Sequence, residues 1–186
     1  MKKIFVLAAM VLGVSAAYAG DSEPLKAITK SKTYAEAEAL LNSTLDQLAS
    51  PQEKAKAYNK LYELSMKDFE TVSAVIAENQ RAAVMKTEQQ AYDTAAYYNS
   101  AYNAVKAAVE CDKYDGQPDA KGKTKIAYRK DETRLQKLTQ ARLELVNGGQ
   151  WIDGKNDEAG LLKYWGLFLE SRNTHLFEAL PKEPFL

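Results

Sequence analysis

The sequence holds one cysteine, Cys111, and one histidine, His175. A single cysteine excludes a disulfide within the chain, and one histidine with no cysteine beside it cannot build a zinc site. Nothing in the sequence brings His175 to Cys111, so thiol catalysis has no partner base. Cys111 is expected to be a small apolar filler at a helix end, with an intermolecular disulfide as the alternative. No Gly-x-Ser-x-Gly elbow is present. Lys121-Gly122-Lys123-Thr124 lacks the upstream glycine of a phosphate loop, and no strand precedes it. An excess of one charge is missing too: Lys+Arg and Asp+Glu both number 25. That balance argues against bulk binding to nucleic acid or an anionic membrane, which need charge concentrated on one face. Strand signals are nearly absent, since no stretch alternates cleanly between apolar and polar residues. Proline and glycine are sparse, at 5 and 9, and clustered. Between the clusters the pattern is helical.

What is present begins with an address. Lys2 and Lys3 are followed by an apolar run from Ile4 to Val14, then by Ala17-Tyr18-Ala19 before Gly20. That is the layout of a secretory signal peptide, and the run is too short for a membrane anchor. Residues 1–19 are therefore expected to be removed. Residues 20–180 are expected to form one all-helical domain and residues 181–186 a tail. The mature protein is placed in the periplasm or the medium, with no membrane insertion after cleavage. Removing Lys2 and Lys3 leaves 23 basic against 25 acidic residues.

Apolar periodicity predicts five helices. The first covers about Tyr34 to Ala49. Ser50-Pro51-Gln52-Glu53 starts the second, with Ser50 as cap, Pro51 at the first position and Glu53 reaching back. Its stripe is Tyr58, Leu61, Tyr62, Ser65, Phe69, Val72 and Ile76, with Ser65 the one polar member. The third covers about Glu88 to Cys111, with Ala91, Ala95, Tyr98, Tyr102, Val105 and Val109 as its stripe. The fourth covers Thr124 to Gly148, with a possible break near Asp131, and ends on Asn147-Gly148 as a cap. Gln150 to Ile152 is read as a short tail. The last covers about Asp157 to Phe177 and carries Leu161, Leu162, Trp165, Phe168, Leu169 and Leu176. The expected fold is all-α, with antiparallel hairpins packed as a short superhelix or bundle.

Tyr34-Ala35-Glu36-Ala37 with Leu41 and Thr44, then Tyr58, Leu61 and Tyr62, resembles the small–large helix pattern of tetratricopeptide repeats. Leu145, Gly149 and Ile152, followed by Lys155-Asn156-Asp157, Leu161, Trp165 and Phe168, resembles a further unit with Asn156 in place of the turn glycine. Pro118-Asp119-Ala120-Lys121-Gly122-Lys123, Tyr128-Arg129-Lys130, Leu145-Val146-Asn147-Gly148-Gly149, Tyr92-Asp93-Thr94 and Cys111-Asp112 are similar to exported tetratricopeptide-like proteins of the Bacteroides group. The resemblance implies a degenerate repeat superhelix, a role in protein–protein interaction and no catalytic residues. Relatives carry more repeats, so a short relative and a chain whose C-terminal face expects further repeats are both open.

Several clusters could carry chemistry. Asp112, Asp115 and Asp119 are loosely spaced like a calcium loop, but the twelfth position is Lys123 rather than a glutamate. Asp153, Asn156, Asp157 and Glu158 read as a cap and an acidic first turn. Lys121, Lys123, Lys125, Arg129 and Lys130 read as a solvated face, or else as a docking patch for an acidic partner. No cofactor, metal or catalytic residue is expected. Tyrosine combines a large apolar face with a hydroxyl and suits recognition. Tyr58, Tyr62, Tyr97 and Tyr98 are the candidate contacts of a groove between the second and third helices, with Tyr97 facing a concave wall. The leading reading is a non-catalytic envelope protein that binds a protein partner. The alternatives are a module binding cell wall or polysaccharide, a carboxylate-dependent envelope hydrolase and a purely structural fragment. Oligomeric state is open.

Overall fold

In a computed structural model, residues 20–178 are described, so the signal-peptide segment 1–19 and the tail 181–186 lie outside the described residues. The fold is all-α, with six helices among the described residues: α1 (Glu23–Lys30), α2 (Tyr34–Thr44), α3 (Pro51–Met85), α4 (Thr94–Tyr114), α5 (Glu132–Asp153) and α6 (Glu158–Ser171). Short 3-10 turns follow α2 at Leu45–Gln47 and α6 at His175–Phe177. No strand occurs among the described residues; Pro118 and Thr124 share one isolated bridge. No described helix is long and apolar enough to cross a membrane.

The helices pair as antiparallel hairpins, α3 with α4 and α5 with α6. Ring stacking fixes the direction of the first pair: Tyr58 lies on Tyr114 and Phe69 lies on Tyr97. Ala101, Ala104 and Ala108 line the buried side of α4. Their small side chains let neighbouring backbones approach closely. The α5–α6 hairpin packs on α4 through Tyr98, Tyr102, Leu145 and Tyr164. At the other side, α1 and α2 cover α3.

Sequence grammar sets most boundaries. The Ser50 hydroxyl accepts the Glu53 N–H at 3.2 Å. The Glu53 carboxylate reaches back to the Ala49 N–H at 2.7 Å and across to the Ser22 N–H at 2.6 Å. One glutamate therefore closes the start of α3 and ties α1 to it. Asp93, Asp131 and Asp157 cap α4, α5 and α6, each accepting a backbone N–H three residues on. Asn156 takes the left-handed turn, with φ of 56°.

Four expectations are corrected. The short α1 was absent from the sequence reading, although Ser22 caps it and Leu25 and Ile28 are fully buried. The third predicted helix starts at Thr94 rather than Glu88, because Lys86 ends α3 in the left-handed region and Asp93 supplies the next cap. Asn147-Gly148 does not end a helix: α5 continues to Asp153. A Cβ on Gly148 would sit 3.1 Å from the Tyr164 ring and 3.2 Å from Tyr98, and one on Gly149 would overlap Trp165. These glycines serve close helix contact rather than chain reversal. The buried face of α6 is Tyr164, Leu167 and Ser171, whereas Leu162 and Leu169 face outward and Trp165, 40% exposed, lies along Gly149 of α5.

Candidate functional site

The four tyrosines singled out from the sequence divide in two. Tyr62 and Tyr97 are buried, and Tyr58 and Tyr98 are half-buried against the core. The expectation that Tyr97 faces a concave wall is corrected. Its ring stacks on Phe69 with centroids 5.2 Å apart, because α4 is covered on one side by α3 and on the other by α5 and α6. Burial pushes the phenols of Tyr58, Tyr62 and Tyr97 up to about 12. The four do not share one surface. Tyr58 stacks on Tyr114, Tyr62 lies beneath the Arg134 guanidinium at 4.4 Å, and Tyr98 touches Trp151 and Tyr164.

A cavity lies between α3 and α4, and none of the four tyrosines lines it. Ser65, Asp68, Thr71 and Val72 form the α3 wall. Ala96, Asn99, Ser100 and Asn103 form the α4 wall, and Tyr34 at the start of α2 closes one side. The cavity measures about 370 Å³, within the range of sites that hold a ligand or a peptide segment. Its walls are fixed from behind. Thr33 caps α2 and sets Tyr34, whose hydroxyl donates to Glu38 at 2.9 Å. Burial and that neighbouring carboxylate raise the Tyr34 pKa. The Asn99 carbonyl oxygen accepts Lys163 Nζ at 2.7 Å and the Tyr164 hydroxyl at 3.3 Å, which ties the α4 wall to α6.

The floor of the groove holds an anomaly. Ser65 is 1% exposed, yet its Oγ has no hydrogen-bond partner. The other lining hydroxyls are engaged: Thr71 donates to the Lys67 carbonyl and Ser100 to the Tyr97 carbonyl. Leaving a buried hydroxyl unpaired costs about 1–3 kcal/mol. The sequence signal for Ser65 was its place as the lone polar member of an apolar stripe. Asn99 and Asn103 gave no signal, because polar residues one turn apart are ordinary on any helix.

The loop between α4 and α5 is built by two aspartates that the sequence placed in a loose calcium pattern. The Asp115 carboxylate accepts three backbone N–H groups, from Ala127, Tyr128 and Arg129, at 2.8 to 3.0 Å. Asp112 binds Arg129 Nε at 2.7 Å and the His175 backbone N–H at 3.1 Å, with His175 Nδ1 3.4 Å away. Asp119 turns back on its own loop, accepting from Lys121 and Lys123. Arg129 thus leaves the solvated basic run and becomes a strut, while Lys121, Lys123, Lys125 and Lys130 are exposed. No group of three metal-ligating side chains occurs among the described residues. Cys111 is buried, its Sγ 3.3 Å from the Ala55 carbonyl, and burial lifts its thiol to about 12.

Two buried arginines were not foreseen. Arg134 donates to Asn59 Oδ1 at 3.1 Å and covers Tyr62. Arg142 donates to Ser171 Oγ at 2.8 Å and to the Phe168 carbonyl, and lies 4.0 Å above the Phe168 ring. They stand on one side of α5 and bind it to α3 and to the end of α6. Compared with protein-family models, curated proteins and solved structures, the chain matches none.

Proposed function

We propose that the protein is an exported, non-catalytic helical-repeat module of the tetratricopeptide-like kind that holds an extended segment of a partner protein in the cell envelope. The observation that carries the reading is the α3–α4 groove with the unpaired Ser65 hydroxyl on its floor. An extended polypeptide presents carbonyl and N–H groups at regular intervals. The amide N–H groups of Asn99 and the whole amide of Asn103 along one wall, above the buried Ser65, offer donors and an acceptor to such a chain. Asp68 is the one charged residue lining the groove, so a neutral or basic segment suits it better than an acidic one. Tyr58, Tyr62, Tyr97 and Tyr98 serve this reading as backing: they hold α3, α4 and α5 at fixed spacing instead of touching the partner.

The test is a cross-linking pull-down from the native envelope with the exported protein as bait. Thr71→Lys and Asn103→Lys add bulk and charge to the groove walls at positions that are exposed and half-buried. The expected result is a protein partner recovered with the parent and reduced about tenfold or more with either variant, at unchanged helical dichroism. Retention on purified cell-wall polysaccharide in place of a protein partner would replace this reading with a glycan-binding one. Turnover of wall fragments, lost on carboxylate substitution, would replace it with a hydrolase.

A further inference from the structure

Helix α6 has two apolar faces, and the fold uses one of them. Tyr164, Leu167 and Ser171 are buried against α4 and α5. On the other side Leu162, Trp165 and Leu169 are 72%, 40% and 55% exposed. Steps of three and four residues put these side chains in one line along the helix. Glu158 continues the line four residues before Leu162, and Arg172 continues it three residues after Leu169. Single exposed apolar residues are ordinary. Three in line on one 14-residue helix form an apolar line of the kind that marks an interaction surface.

We infer that this stripe is a self-association surface, on which α6 packs antiparallel against α6 of a second copy across a two-fold axis near Gly166. The stripe is self-complementary, as an isologous interface requires. Reversing it about Trp165-Gly166 brings Leu162 of one copy to Leu169 of the other. The same operation sets the acidic start of the line, Glu158, opposite its basic end, Arg172, at both ends of the contact. Parallel packing would instead place Glu158 on Glu158 and Arg172 on Arg172. At the centre, Gly166 leaves a notch: a side chain built there would meet nothing within 4 Å. A groove of about 320 Å³ opens beside it, with Leu162, Gly166 and Leu167 on the α6 wall and Lys106, Glu110, Lys163 and Glu170 as its charged rim. The exposed edge of Trp165 on the second copy faces this notch. The Trp165 indole N–H is already satisfied by the Val146 carbonyl at 3.3 Å, so covering the ring leaves no donor stranded. The surface lies on α5 and α6, apart from the Ser65 groove, so either proposal can fail without the other.

One helix stripe covers less than the roughly 800 Å² per partner of a standard interface, so a weak dimer is expected, with a dissociation constant of about 10–100 µM. Sedimentation and light scattering on the full chain, as its host processes it, should show monomer near 1 µM and mostly dimer well above 100 µM. Leu162→Glu with Leu169→Glu should raise the dissociation constant more than tenfold at unchanged dichroism, since both positions are exposed. Glu158→Lys alone and Arg172→Glu alone should each weaken association. An equimolar mixture of these two variants should regain it, because every charge contact is then between opposite signs. Weakening by each variant alone is specific to antiparallel packing, because parallel packing keeps like charge on like charge in the parent and in both variants. A chain that stays monomeric up to about 1 mM, or a dimer indifferent to the paired leucine substitution, would overturn the inference. A dimer that is lost on the leucine substitution but not regained in the mixture would overturn its antiparallel geometry.

Discussion

The two halves of α3 run through the same helix and obey different physics. From Pro51 to Phe69 the helix is packed between α4 and the α1–α2 pair: Ala55, Ala57, Leu61, Tyr62, Ser65, Met66 and Phe69 all lie in the core. From Glu70 to Met85 no residue is buried, and Val84 is 85% exposed. Helical propensity does not separate the halves, since both are rich in alanine, glutamate and lysine or glutamine. The antiparallel partner separates them. Phe69 meets Tyr97 only three residues after α4 begins, so the distal half of α3 runs on past the start of its neighbour. The proximal half is held by tertiary burial and the distal half by local hydrogen bonds, with Val72 and Ile76 as its remaining packed side chains. The two halves should therefore respond differently to the same kind of perturbation.

Alkaline pH should produce the largest effect, and it should act on the packed region. Tyr58 and Tyr62 on proximal α3, Tyr97 on α4 and Tyr128 in the following loop are all raised from 10.0 to about 12, chiefly by burial. Burial favours the neutral phenol, so the native state holds these protons when the unfolded chain has released them. Their contribution is fully present below pH 10 and is lost as pH rises towards 12. Tyrosinate absorbance should rise cooperatively with loss of helical dichroism. Ionisation of all tyrosines near pH 10 with the helix intact would show that the rings are not buried together.

Next in size is a substitution on either side of the divide. Phe69→Ala removes a ring that is buried and stacked on Tyr97. It should cost about 3–5 kcal/mol in denaturant unfolding. Val84→Ala, on the same helix, should stay within about 0.5 kcal/mol. Similar losses at both positions would mean that the distal half is covered in solution, and the contrast would collapse.

The contrast also explains what could be read from the sequence. The stripe from Tyr58 to Phe69 was legible because its large apolar side chains recur every three or four residues. The Ser50 and Asp157 signals were legible because a cap is local chemistry, whereas Asp131, read only as a break inside a helix from Thr124, proves to be the cap that starts α5. Tyr97 was misread because α4 is packed on more than one side, and a helix covered on several sides has no single stripe to reveal. Leu162 and Leu169 show the converse: their rhythm is real but belongs to the exposed face of α6. Gly148 and Gly149 have the composition of a cap, and only the partner rings show that they are contact points. The lining of the cavity between α3 and α4 could not be named from the sequence, since serine and asparagine look the same on a solvated face as in a cleft.

A helix-breaking residue sharpens the comparison at smaller scale. Ala83→Gly in the distal half should weaken the last turns by about 1 kcal/mol locally. Hydrogen exchange should accelerate there, while the global denaturation midpoint stays within error, because no buried surface depends on those turns. A matching drop in the global midpoint would show that the whole of α3 unfolds as one unit.

The smallest expected effect is at Asn79, where the connection to α4 folds back on the distal half. Its side-chain amide donates to the Gln90 carbonyl at 2.7 Å, and its Oδ1 accepts the Gln90 N–H at 2.7 Å. The pair mimics a rung of backbone pairing and is exposed to water. Upstream, Lys86 turns left-handed and the Thr87 N–H closes on the Ala82 carbonyl at 2.9 Å, so the chain is already reversing before it reaches Asn79. Asn79→Ala removes both hydrogen bonds, yet water takes up the exposed groups. The global cost should be about 0.5–1 kcal/mol or less. Faster amide exchange should be confined to residues 86–93 and the turns of α3 beside them. If exchange also accelerates in α4 beyond Tyr97, the connection positions that helix, and the distal half of α3 is then structural rather than a passenger.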